Sequence, residues 1–193
     1  MKRFSILSLL LILVFCASVA HAARVKPVGL MQTYTGVVYA ATTDPDTIAR
    51  VRDKEVRKLK RTSDIFVTDT LVTGPDSSAQ FLFNDGTILT MGADSVIKVD
   101  EFFFKDNDPD ANAFKITVGT GVYRVLTGQI VDENPDKFEI VTPLAHIGIR
   151  GTGLGMNIEG TGDSIDNAAN QALYKAFMDE RVDGEMWSLI HEA

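Results

Sequence analysis

The chain has 193 residues, 45% of them hydrophobic, 23% charged and 8% aromatic, with 15 Gly, 6 Pro and one Cys. Nineteen Lys and Arg stand against 26 Asp and Glu, a balance that repels nucleic acid and argues against it as a partner. A chain of this size makes one globular domain with a small appendage and buries enough surface to need no metal or disulfide staples.

Lys2 and Arg3 form a basic start, Phe4 to Val19 is an apolar run, and Ala20-His21-Ala22 supplies the small residues that precede a signal-peptidase cut after Ala22. The expected organisation is therefore a signal peptide over 1–22, a β domain over 23–160 and a C-terminal helical segment over 161–193. The apolar run is short for a permanent span, which takes about 20 residues, so the mature chain is expected to be soluble, without a transmembrane span, and periplasmic or secreted. Both leader bases are lost on cleavage, leaving 17 bases against 26 acids. Bulky Phe15 before Cys16 argues against lipidation. Loss of Cys16 leaves no cysteine, which excludes disulfides, thiolate metal sites and a Cys nucleophile.

Period two dominates the rest. Ala79, Phe81 and Phe83 alternate with Gln80 and Leu82, and Phe114, Ile116 and Val118 alternate with Lys115 and Thr117, as half-buried strands require. Further strands are expected over Leu30–Tyr39, Ile65–Val72, Thr87–Met91, Ser95–Phe104, Val122–Ile130, Phe138–Thr142 and Ala145–Ile149, nine or ten in all. Pro-Asp pairs at Pro45, Pro75, Pro109 and Pro135 read as type I turns of similar chemistry. Seven bases between Arg50 and Arg61, including Arg57, read as a solvated face in a segment whose period fits helix or hairpin. After Ser164, Ala168, Ala172, Leu173, Ala176 and Phe177 recur at helical spacing, with Gly184 as the stop. Together these elements predict an all-β body with one C-terminal amphipathic helix. A wound, solenoid-like arrangement and a β-sandwich both fit the period.

The sequence offers few groups arranged for chemistry. His146 and His191 are the mature histidines; with no Cys they make no ordinary zinc site. No GxSxG elbow exists for a Ser-His-Asp arrangement around His146, and neither Gly119–Gly121 nor Gly151–Gly155 completes a dinucleotide or phosphate loop. Asp106, Asp108 and Asp110 alternate like half of a calcium loop, but Ala111 stands where Gly is required and Thr117 where Glu is required. The expectation is a non-enzyme with no cofactor and no metal.

Two stretches carry specific signal. In Thr73–Ser95 a Gly-Pro-Asp turn precedes a strand, and Asn84-Asp85-Gly86-Thr87 reverses the chain sharply. In Phe138–Leu154, Thr142-Pro143 breaks one strand and Gly148-Ile149-Arg150-Gly151-Thr152 ends the next. Glycines beside Arg150 leave its guanidinium room to meet backbone carbonyls or a turn carboxylate.

In this order and spacing the two stretches resemble the FecR domain, most closely at TPLAHIGIRGT, with the likeness running from about Gly36 to about Ile158. The resemblance implies a wound β fold in which the turns stack, and it favours the hairpin reading of Arg50–Arg57. In the family's sensors a cytoplasmic helical part restrains a sigma factor, and the exported β domain contacts a transporter's signalling domain. Here only Met1, Lys2 and Arg3 precede the apolar run, so the exported domain is what carries over and sigma-factor control is not expected.

The implied function is a protein-binding or sensing module of the bacterial envelope, its partner another envelope protein. The alternative is a cell-wall or surface glycan stacked on Tyr34, Tyr39, Tyr123 or Trp187. Asp85, Gly86, Thr87, Thr142, Pro143, Gly148, Arg150, Gly151 and Thr152 are expected to be scaffold, with Arg150 satisfying carbonyls between stacked layers. Arg150→Ala should then lower thermal stability more than a change at an exposed Arg57.

Overall fold

A computed structural model describes residues 25–42, 44, 47, 56–142, 144–151 and 153–159. The signal peptide, the basic residues 50–55, Pro143, Thr152 and the C-terminal helical segment with Trp187 and His191 lie outside the described residues.

Thirteen strands appear among them: β1 (Gly29–Thr35), β2 (Val38–Ala41), β3 (Val56–Lys58), β4 (Asp64–Ile65), β5 (Thr70–Thr73), β6 (Ser78–Phe83), β7 (Ile88–Met91), β8 (Val96–Phe103), β9 (Ala113–Val118), β10 (Gly121–Leu126), β11 (Phe138–Val141), β12 (His146–Gly148) and β13 (Leu154–Ile158). A short helix, α1 (Gln129–Glu133), follows β10. The alternation works as period two demands: Ala79, Phe81 and Phe83 on β6, and Phe114, Ile116 and Val118 on β9, are all buried.

The strands form two sheets, in the orders β13-β10-β7-β6-β1-β4 and β12-β11-β9-β8-β5-β2-β3. One apolar core is shared between them. At its centre Phe83 of the six-stranded sheet meets Phe102 and Phe114 of the seven-stranded sheet, with ring centroids 5.8 Å and 4.6 Å apart, and Phe114 meets Phe138 edge-on at 5.0 Å. Burying each such ring contributes roughly 1.5–3 kcal/mol. The body is all-β, as the period predicts. The chain crosses repeatedly between sheets while advancing from the β3/β4 end to the β12/β13 end. Every described ladder is antiparallel except β9 with β11, whereas a coil repeating in one direction pairs its strands in parallel.

The strand count exceeds the expected nine or ten because local geometry cuts two expected strands. Gly36, at φ +71°, separates β1 from β2, and a turn with Thr68 at φ +73° separates β4 from β5. Expected strand Val122–Ile130 stops at Leu126 and passes into α1. β13 is not among the expected strands, although Leu154, Met156 and Ile158 alternate with Gly155 and Asn157 as period two requires. The Pro-Asp pairs do not share one geometry. Asp76 sits at φ +51°, which a type I turn does not use, while Pro135-Asp136 opens a single turn of 3-10 helix.

Two Gly-x-Asp-Ser corners form a different repeat. In Gly74–Ser77 and Gly92–Ser95 the Asp is left-handed, at +51° and +49°, and the Ser hydroxyl donates to the carbonyl two residues back, at 2.9 Å in both. Each Ser oxygen accepts a backbone N–H, from Val37 just before β2 at 2.9 Å and from Val122 in β10 at 3.1 Å. The glycine before each valine is crowded onto that serine: a Cβ on Gly36 or Gly121 would lie 2.3 Å or 2.2 Å from the hydroxyl. The corners bind each other, Asp94 N–H donating to the Gly74 carbonyl at 3.2 Å and Thr73 Oγ1 to the Gly92 carbonyl at 2.6 Å. Beside them the Tyr123 hydroxyl donates to backbone carbonyls including Thr120, at 2.6 Å, and burial pushes its pKa up to about 12.

Candidate functional site

The sequence motif divides into buried corners and one exposed hairpin. Asp85-Gly86-Thr87 belongs to the first group. The Asp85 carboxylate accepts from the Thr87 N–H at 3.0 Å and the Thr87 hydroxyl at 2.7 Å, while Gly86 supplies φ +85°. Thr87 Oγ1 accepts the Gly128 N–H at 3.0 Å, and a Cβ on Gly128 would stand 2.3 Å from the Asp85 carbonyl oxygen. This corner therefore pins the entry to α1. Burial raises the Asp85 pKa above 3.8, opposed by the Thr87 hydrogen bonds.

A second buried acid was not visible in the sequence. Asp69 is fully buried and its Oδ2 accepts from Arg57 Nη2 at 2.5 Å and from the Phe66 N–H at 2.8 Å. Arg57 also donates to the Asp64 carbonyl at 3.0 Å and lies 5.3 Å over the Phe66 ring. Its side chain is 11% exposed, so Arg57 is not part of a solvated basic face. It fastens β3 to the turn between β4 and β5. Burial raises the Asp69 pKa, with Arg57 pulling it back.

The stretch from Thr142 to Gly151 is different. Thr142 closes the β11–β12 hairpin, its N–H donating to the Ala145 carbonyl at 2.8 Å and its hydroxyl accepting the Ala145 N–H at 2.9 Å. That tight loop holds Leu144 out to solvent, 96% exposed. β12 is the edge of its sheet, with His146 and Gly148 exposed and Ile147 half-buried. Gly148 sits in open space, with no heavy atom within 4 Å of an added Cβ, and its φ is not left-handed. The fold makes no demand for glycine there. Gly151 does need it, at φ +146°, and its carbonyl accepts from the Thr127 hydroxyl at 2.7 Å.

Arg150 meets one of the two kinds of partner expected for it, but on the surface rather than between layers. Its guanidinium lies on the surface, where Nη2 donates to Asp136 Oδ1 at 2.9 Å, the two side chains being 77% and 75% exposed. It meets a turn carboxylate rather than carbonyls between layers. Exposed pairs of this kind contribute little, so the expected order of Arg150 and Arg57 in stability is reversed.

The outer face beside β12 carries a row of charges set by register. Glu139 on β11 is paired with Lys115 on β9 across a parallel ladder, and Val141 with His146 on β12. Lys115 Nζ donates to Glu139 Oε2 at 2.9 Å, and His146 Nδ1 bonds the other carboxylate oxygen. His146 and then Lys115 hold the Glu139 carboxyl below its ordinary pKa. His146 thus has a carboxylate neighbour, but its side chain is 69% exposed on an edge strand rather than sunk in a cleft.

Among the described residues no group of three or more His, Cys, Asp or Glu is placed to hold a metal. The Asp106–Asp110 stretch is an exposed loop, tied at its base by Asn112, whose Oδ1 accepts the Lys105 N–H at 2.7 Å. Of the tyrosines considered for stacking, Tyr39 and Tyr123 are buried and Tyr34 is 41% exposed.

Comparison with curated proteins returns no match, and comparison with solved structures returns none either. The family described as FecR protein matches residues 69–169, beginning at the buried Asp69 and running through both Gly-x-Asp-Ser and Asp-Gly-Thr corners and the exposed hairpin. Since that match spans more than half of the 193 residues, the chain belongs to the FecR family.

Proposed function

We propose that this protein is an exported, non-catalytic FecR-family domain that binds another protein in the bacterial envelope, as a sensing or binding module, through the hairpin from Thr142 to Gly151. Family membership supports a sensing or regulatory role in the envelope. The observation that carries the reading is Leu144, an apolar side chain held 96% exposed at the tip of a loop that Thr142 locks. A tight loop that fixes an exposed leucine at the end of an edge strand has the make-up of a contact point.

No helix among the described residues is long and apolar enough to cross a membrane; release by cleavage after Ala22 rests on the leader's own sequence. The charges around β12 pair with one another, which favours a partner recognised by shape and apolar contact. The glycan alternative is weakened by the burial of Tyr39 and Tyr123. The two hydrogen-bonded Gly-x-Asp-Ser corners and the steady advance of strands along both sheets fit a winding chain, while the antiparallel ladders and the core shared by two sheets fit the β-sandwich alternative.

The test is a photocrosslinking residue at position 144, with one at the exposed Asp108 as control, in intact cells, together with fractionation and the mass of the N-terminus. Expected are a chain beginning at Ala23 in the periplasm or medium and a protein adduct from position 144 alone. Equal adducts from both positions, adducts to cell-wall fragments, or a retained Met1 would contradict the reading.

A further inference from the structure

β12 ends the seven-stranded sheet, and among the described strands it pairs with β11 alone. An antiparallel ladder alternates residue pairs that exchange hydrogen bonds with pairs that do not. The Thr142 N–H donates to the Ala145 carbonyl at 2.8 Å, and this fixes the phase. Thr142 with Ala145 and Ile140 with Ile147 are bonded pairs, whereas Val141 with His146 and Glu139 with Gly148 are not. The backbone N–H and carbonyl of His146 and of Gly148 therefore point away from β11, off the end of the sheet. Both residues are exposed. β12 carries no lysine, no proline and no register shift against β11, the devices that guard a free edge.

We propose that the partner binds here as a strand: an extended segment of another envelope protein pairs with His146 and Gly148 and lengthens the sheet beyond β12. The inference rests on the reading of Thr142–Gly151 as a contact surface, and it names what that surface takes. Gly148 has no left-handed φ, and an added Cβ would meet nothing within 4 Å, so the fold itself does not select glycine. An approaching backbone does, because a residue without a Cβ leaves the facing side chain room to lie across the edge. Ile147 packs half-buried on the core side and takes an apolar neighbour from the partner. The segment therefore alternates, apolar opposite Ile147 and polar opposite His146 and Gly148, on the face where Glu139 and Lys115 lie. Two bonded pairs supply about four backbone hydrogen bonds, and Leu144 adds an apolar anchor beyond that short pairing. A second copy pairing about Ile147 would instead bring Leu144 level with Arg150 of that copy, an apolar side chain against an exposed guanidinium, which favours a foreign strand.

Photocrosslinking in intact cells tests it in two ways. Probes placed singly at His146 and Gly148 should give adducts with one protein, at residues two apart along one segment, because side chains on one face of paired strands recur every second residue. Gly148→Pro removes an outward N–H that the fold does not use. With the probe at Ala145 it should cut the adduct at least about tenfold, whereas Gly148→Ala keeps the N–H and should keep the adduct. If the proline variant fails to fold, the spacing of the two adducts still decides. Adducts without that spacing, or an undiminished adduct in folded Gly148→Pro, would overturn the strand and leave the contact surface standing. Adducts confined to copies of this chain, or none from the wild-type chain at Ala145, would overturn both.

Discussion

Replacing Arg57 with alanine leaves Asp69 fully buried, with the Phe66 N–H as its remaining donor to Oδ2. Removing one partner of a buried pair costs about 3–5 kcal/mol. Two features put this case at the lower end: the Arg57 side chain keeps 11% exposure, and the Asp69 pKa is already raised, so the stranded carboxylate can take up a proton. The expected loss is about 3 kcal/mol, or about 6–12 °C in melting temperature for a domain of this size. Arg150→Ala removes an exposed pair and should cost about 0.5 kcal/mol, roughly 1–2 °C. Thermal and urea unfolding of the mature chain by circular dichroism measures both. Asp69→Asn, alone and combined with Arg57→Ala, completes a cycle in which the double variant loses less than the sum of the singles. An Arg150→Ala loss equal to or above that of Arg57→Ala, or simple additivity in the cycle, would refute the reasoning.

Two further outcomes concern the corners. Gly121→Ala combines φ +138° with a Cβ 2.2 Å from Ser95 Oγ and 2.6 Å from its Cα, and should cost about 3 kcal/mol or more. Gly86→Ala meets φ +85° in open space and should cost about 1–2 kcal/mol; equal losses in urea unfolding would show that crowding at the Ser95 corner is not what selects glycine. The Asp85 pKa is raised in the folded chain, so its stabilising contribution is full below the ordinary 3.8 and is lost as pH rises through the folded value. Asp85→Asn should therefore gain on wild type as pH rises above the ordinary carboxylate range, and a gap independent of pH would contradict this.

Legibility in the sequence follows from how local each cause is. Strict alternation at Ala79–Phe83 and Phe114–Val118 reports burial directly, so the all-β class and those strands were readable. Asp-Gly-Thr at 85–87 announces its turn because the chemistry lies within three residues. The repeated Gly-x-Asp-Ser at 74–77 and 92–95 is a local signal of the same kind, overlapped at 75–76 by a Pro-Asp pair. The Arg57–Asp69 pair could not be read, since its partners are 12 residues apart on elements that meet only after the sheets close. Arg150 misled for the converse reason: its glycine neighbours allow a buried or an exposed guanidinium, and only the position of β12 at a sheet edge decides. For the candidate site, the residues of the hairpin were legible and their exposure was not.

The central claim, that this hairpin is a contact surface rather than scaffold, is tested most directly by Leu144→Asp and Gly148→Val. Both changes fall where the fold leaves open space, and each is to be measured for melting temperature and for crosslinking in intact cells from a probe at Ala145. The account predicts melting within about 2 °C of wild type, together with loss of the adduct. A lowered melting temperature, or an adduct that persists in both variants, would contradict it.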